Sequence, residues 1–129
     1  MKIKRVIFLN SLSDLDIYNV GCHWTANMKY RHTGGGSNGL TPEKARFMVT
    51  FTANCEESQV NEDVTWLSNE DHPHEKEVVL EKGTALSGVK MEVSERSQGV
   101  TFVSPPKKSR GEYRNPLRQV GRKIFVIFS

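Results

Sequence analysis

The run His74-Glu75-Lys76-Glu77-Val78-Val79-Leu80-Glu81-Lys82-Gly83-Thr84-Ala85-Leu86-Ser87-Gly88-Val89 reads as a strand, a glycine turn and a second strand. Val78, Val79 and Leu80 suit a pleated, half-buried surface, and Gly83 supplies the break. Side chains two apart in an extended chain share a face, so Glu75 and Glu77 are expected on one face with Lys76 on the other. Neighbouring carboxylates repel one another, and such a pair suits binding a hydroxyl or stabilising a developing cation. A Glu-Lys-Glu stretch is equally at home on an ordinary solvated strand face.

Outward from this segment, apolar and β-branched runs bounded by turn formers recur along the whole chain. Strands are expected at Lys4 to Leu9, Gly21 to Ala26, Arg46 to Ala53, Glu75 to Glu81, Ser87 to Ser94, Val100 to Ser104 and Lys123 to Phe128. No window carries a helical apolar stripe for more than two turns. Short helical pieces fit Leu12 to Tyr18, with Ser11 or Ser13 as cap, and Pro42 to Ala45, with Thr41 as cap and Pro42 in the first turn. Two segments read as mobile: the glycine-rich Arg31 to Gly39, reaching toward Leu40, and the Pro-containing basic stretch Ser104 to Gly121.

With 129 residues the chain suits a single domain, and 36% hydrophobic with 26% charged residues is the balance of a soluble globular protein. No apolar run approaches the roughly 20 residues of a membrane helix. The start, Met1 to Leu9, places positive charge before an apolar stretch, but that stretch is short for a signal peptide and no small-residue cleavage site follows. Cys22 and Cys55 lack the spacing of a zinc site or a disulfide framework and are read as reduced thiols in a cytoplasmic protein. His72 and His74 lack a third ligand at suitable spacing, so no metal is expected.

The net charge of +3 hides a strong asymmetry. From Glu56 to Lys82 nine carboxylates face only Lys76 and Lys82, whereas Lys107 to Lys123 carries seven cations against Glu112 alone. The basic segment is either a solvated loop or a contact for an acidic or phosphate-rich partner, with Lys107, Lys108, Arg110 and Arg114 the residues that would touch nucleic acid.

Two motifs in order carry a family resemblance. The Glu75-Lys76-Glu77 segment with its apolar triplet, Gly83-Thr84 turn and following strand resembles the catalytic glutamate segment of the ADP-ribosyltransferases. Upstream, Gly21-Cys22-His23-Trp24-Thr25 is similar to the family's nicotinamide-pocket strand. Val64-Thr65-Trp66-Leu67, ahead of Ser68 to His74, resembles the short segment and acceptor-presenting loop that precede the glutamates. The likeness spans about Val6 to Val93.

The resemblance implies an α+β, β-rich fold, a split β-sandwich of two small sheets with short helices, and NAD as substrate without a metal. It implies Glu77 as the catalytic carboxylate that holds the nicotinamide ribose and stabilises an oxocarbenium-like transition state, with Glu75 on the acceptor side. Gly21, His23, Trp24 and Thr25 would line the nicotinamide site, His23 by stacking and Thr25 through its hydroxyl. Trp66 is either a core anchor or a wall beside the acceptor. The family's first-strand Arg or His is expected at the strand end, where Leu9-Asn10-Ser11 offers only Asn10; Arg5 lies earlier, and Lys29, Arg31 or Arg46 would have to compensate.

These features support a small, effector-like enzyme that passes ADP-ribose to a protein side chain, arginine above others, or to nucleic acid. The alternatives are an inactive NAD-binding relative and a nucleic-acid-binding β-sandwich.

Overall fold

β3 (Phe47–Asn54) shows most directly how the sequence makes the sheet: its Phe-Met-Val-Thr-Phe-Thr-Ala-Asn run alternates buried and half-buried residues with period two. The computed structural model describes residues 1–16, 20–30, 40, 42–71, 73–97, 101–103 and 124–126. The remaining strands are β1 (Lys2–Leu9), β2 (His23–Thr25), β4 (Glu77–Val79), β5 (Thr84–Ser97), β6 (Thr101–Val103) and β7 (Ile124–Val126), with one helix, α1 (Glu62–Asp71), among the described residues.

Every described pairing is antiparallel, in the order β4-β2-β1-β3-β5-β6, and β7 pairs with the first residues of β5. The β-rich expectation holds. The described strands connect into one sheet, in which β5 is long enough to pair β7, β3 and β6 along successive stretches. Its register against β3 shifts between Thr52 and Asn54, opposite Gly88, whose φ of +62° is the left-handed conformation a bulge requires.

Ile3, Ile7 and Leu9 of β1 share a core with Phe47, Val49 and Phe51 of β3, Val89 and Val93 of β5, and Trp24 of β2. On the other face Phe8 meets Phe102 of β6, their ring centroids 6.4 Å apart. Two strands separate β1 from β6 in the sheet order, so a flat sheet would hold them about 14 Å apart at 4.8 Å per strand. The reach of the two aromatic side chains and the ordinary twist of the sheet together close that gap.

Four local expectations need correction. The helix α1 was not anticipated, because Glu-Asp-Val-Thr-Trp-Leu-Ser-Asn-Glu-Asp has no apolar stripe. What holds it is polar: Asn61 caps it by accepting from Val64 N at 3.3 Å, and Glu62 and Asp63 sit at its positive end. The strand expected from Glu75 begins only at Glu77; Pro73–Glu75 is a 3-10 turn, and Lys76 between them takes the left-handed conformation at φ +44°. Glu75 and Glu77 thus do not share a strand face. The expected helix at Leu12 shortens to a 3-10 turn, Leu12–Asp14, capped by Ser11, and residues 42–44 form a turn. Ile17, Tyr18, Thr41 and the segments 31–39 and 104–121 lie outside the described residues.

Candidate functional site

An edge strand leaves its outer backbone groups without partners, and β4 is such a strand. Here α1 and the residue that caps it, Asn61, supply them. Asn69 accepts from Glu77 N at 2.8 Å and donates to Glu77 O at 2.9 Å; Thr65 Oγ1 accepts from Val79 N at 2.9 Å; Asn61 N donates to Val79 O at 2.7 Å. Asn61, Thr65 and Asn69 recur every fourth residue, the spacing of one helix face. The polar face of α1 thereby acts as a substitute strand and fixes the backbone of Glu77.

On the inner edge, β2 pairs β4 with Thr25 opposite Glu77 and His23 opposite Val79. His23 and Glu77 are therefore diagonal neighbours on one face, a separation that long side chains bridge. Nδ1 of His23 lies 3.0 Å from Oε1 of Glu77. Their side chains are 46% and 23% exposed, so the pair is partly open to solvent and bridges diagonally from the first residue of β2 to the first of β4. With the carboxylate as acceptor, Nδ1 is the ring nitrogen that donates.

Behind this pair stands Arg5, which sequence reasoning had set aside. Its guanidinium donates to the His23 carbonyl at 2.5 Å. Burial pulls Arg5 down from its usual range, while Cys22 and Glu77 act in the opposite sense. Its Nε is buried without a hydrogen-bond partner. Gly21 makes the approach possible: a Cβ there would lie 2.8 Å from one guanidinium nitrogen, and its φ of +88° already favours glycine. The signal that would have found Arg5 is its position in the row Ile3-x-Arg5-x-Ile7-x-Leu9, a cation at an inward place in an apolar alternation.

Glu75 is held separately. Tyr30 donates its hydroxyl to Glu75 Oε1 at 2.9 Å, and Thr25 Oγ1 donates to the Glu75 carbonyl. Asn27 Nδ2 donates to the His74 carbonyl at 3.0 Å. Lys4 Nζ donates to the carbonyls of Met28 and Tyr30 at 2.8 and 2.9 Å, and burial pulls its ammonium below the usual lysine range. The Tyr30 phenol is pushed up from the ordinary value of 10.0, first by burial, then by its bond to Glu75 and the charges of Glu75 and Glu77. Both carboxylates therefore act on Tyr30, although they lie on different elements.

The expected site is thus gathered in part. His23, Thr25, Glu75 and Glu77 converge, with Gly21 beside Arg5. Trp24 goes elsewhere: it is 2% exposed in the core, and its Nε1 donates to the Gly21 carbonyl at 2.9 Å, so its indole offers no face for stacking. Asn10 lies just past β1, six residues or about 20 Å along the strand from Lys4, the partner of Thr25. Arg5, Tyr30 and Asn69 are the contributors that sequence reasoning missed. Lys29 is exposed, Arg46 pairs with Glu95 at 3.6 Å across β3 and β5, and Arg31 and the basic residues from Lys107 lie outside the described residues.

Among the described residues no three His, Cys, Asp or Glu side chains gather to hold a metal ion, and no helix is long and apolar enough to cross a membrane. Set against known protein families, curated proteins and solved structures, the chain matches none.

Proposed function

We propose that this protein is an NAD-dependent ADP-ribosyltransferase with Glu77 as its catalytic carboxylate, the split-sandwich relationship of that family being part of the proposal. The observation that carries the reading is the 3.0 Å contact between His23 and Glu77, which joins two motifs 54 residues apart on adjacent strands.

In the reaction the bond between the ribose C1′ and the nicotinamide nitrogen breaks, and its electron pair leaves with nicotinamide. Positive character builds at C1′, and the carboxylate of Glu77 lowers that barrier while accepting a ribose hydroxyl. His23, hydrogen-bonded to Glu77, fixes the carboxylate and offers an imidazole face to the nicotinamide ring. An acceptor nucleophile then bonds to C1′ and surrenders its proton to Glu75. Arginine is the acceptor proposed first; a nucleic-acid acceptor would engage Lys107, Lys108, Arg110 and Arg114.

The missing cation at Asn10 is answered by Arg5, which bonds the His23 backbone and lies close enough to Glu77 to feel its charge. Arg5 holds the His23 strand and gives the site positive potential toward the dinucleotide.

Incubation with labelled NAD, following nicotinamide release and label transfer together, tests the reading. Glu77→Gln should abolish both while keeping the wild-type melting temperature. Full activity in that variant would overturn the assignment, and NAD binding without nicotinamide release would replace it with a binding module.

A further inference from the structure

A groove of about 560 Å³ runs along α1, opposite the start of β1 and the 3-10 turn Glu57–Gln59. Its apolar lining is Met1, Val60 and Trp66; its charged lining is Glu57, Glu62 and Asp63. Two further lining residues, Thr65 and Asn69, are committed to β4 by the hydrogen bonds described above.

Trp66 is 61% exposed. An indole has much apolar area to bury and is usually covered in a monomer, so one left open beside a groove marks a contact surface. No lysine or arginine lines the groove; the ammonium of its Met1 is turned to the Cys55 carbonyl at 2.9 Å, and none of the three carboxylates takes part in an ion pair among the described residues. It also falls within the acidic centre of the chain, where nine carboxylates between Glu56 and Lys82 face two lysines. The charge it complements is positive.

We infer that this groove docks a basic segment of a partner protein, seating an arginine side chain on Trp66 with Glu57, Glu62 and Asp63 around its guanidinium. Arginine fits better than lysine because its planar guanidinium stacks on an indole face while its fork of donors reaches carboxylates. Lysine gives up the planar stack, and an anionic polymer meets only repulsion. The inference is independent of catalysis at Glu77 and stands or falls without NAD turnover.

Calorimetric titration of the full chain with an acetylated, amidated hexa-arginine peptide at low salt provides the test. Saturable binding is expected, at least several-fold tighter than for hexa-lysine. Trp66→Ala should weaken it about tenfold or more, as should the double change Glu62→Gln with Asp63→Asn. Glu43→Gln with Glu92→Gln removes the same charge from exposed positions outside the groove and should leave binding unchanged.

Should the Glu62/Asp63 variant melt lower through loss of helix-start charge, Glu57→Gln, outside the helix, carries the same comparison. Equal loss in the control variant, wild-type binding by Trp66→Ala, or no preference for arginine would overturn the inference. Sedimentation in parallel covers the remaining occupant: self-association abolished by Trp66→Ala would assign the groove to a second copy of the chain and likewise overturn it.

Discussion

His23 and Glu77 meet through Nδ1 and Oε1 at 3.0 Å, diagonal neighbours on two strands that no short stretch of sequence brings together. The contact ties a partly exposed imidazole to a carboxylate whose backbone is clamped by α1. A fixed carboxylate does more for a cationic transition state than a mobile one, because no reorganisation is needed as charge develops.

Removing the imidazole should therefore affect chemistry more than folding. In the proposed reaction His23 positions Glu77, so His23→Ala is expected to lower nicotinamide release by about 10²-fold, the scale of loss when a catalytic group is misplaced by about 1 Å. A partly exposed hydrogen-bonded pair contributes about 1 kcal/mol or less to stability, so the melting temperature should shift only slightly. Release at the wild-type rate would separate His23 from the site.

Asn69 makes the opposite case. Truncation to alanine leaves both backbone groups of Glu77 without their side-chain partners, at a cost of about 1–3 kcal/mol if water does not replace them. The denaturation midpoint should fall, and hydrogen exchange at the Glu77 amide should speed up. Exchange as slow as in the wild type would show that the clamp is dispensable.

Gly21 and Gly83 form an internal control. Both have positive φ, +88° and +79°, so alanine at either is strained by about 1–2 kcal/mol. Only at Gly21 does the new Cβ meet neighbouring atoms, the Arg5 guanidinium, whereas nothing lies within 4 Å of one at Gly83. Gly21→Ala should therefore destabilise more than Gly83→Ala, by roughly 1 kcal/mol or more of overpacking. Equal losses in urea denaturation would mean that Arg5 yields without cost.

For Tyr30 the folded phenol holds its proton more tightly than the unfolded one, its value being raised above 10.0 chiefly by burial. Below pH 10 both states are protonated and the contribution is fully present. As pH rises above 10 the unfolded chain loses its proton first, so stability falls until the folded value is passed. Tyr30→Phe should lower stability by about 1 kcal/mol at neutral pH and flatten the decline that sets in above about pH 10. An unchanged alkaline slope in denaturant titrations would sink this account.

Local pattern alone located the strands: alternation marks Phe47 to Ala53 as two-faced, and Gly83 separates Val78-Val79-Leu80 from the run after it. These features were legible because a strand's period and a turn's glycine are written in consecutive residues. The convergence of His23 and Glu77 was anticipated only as two motifs in sequence, without their contact.

Tertiary structure alone decided the rest. It drew Arg5 beside His23, sent Trp24 into the core, left Asn10 at the far end of β1, and placed Glu75 in a 3-10 turn instead of on the strand of Glu77. It also made a helix of a polar stretch, since α1 is held through hydrogen bonds to the edge of β4. Such bonds join residues distant in the chain and require no apolar repeat, so they leave no periodic trace for the sequence to show. Burial patterns are local and repeat; partners across strands are chosen by the packed sheet.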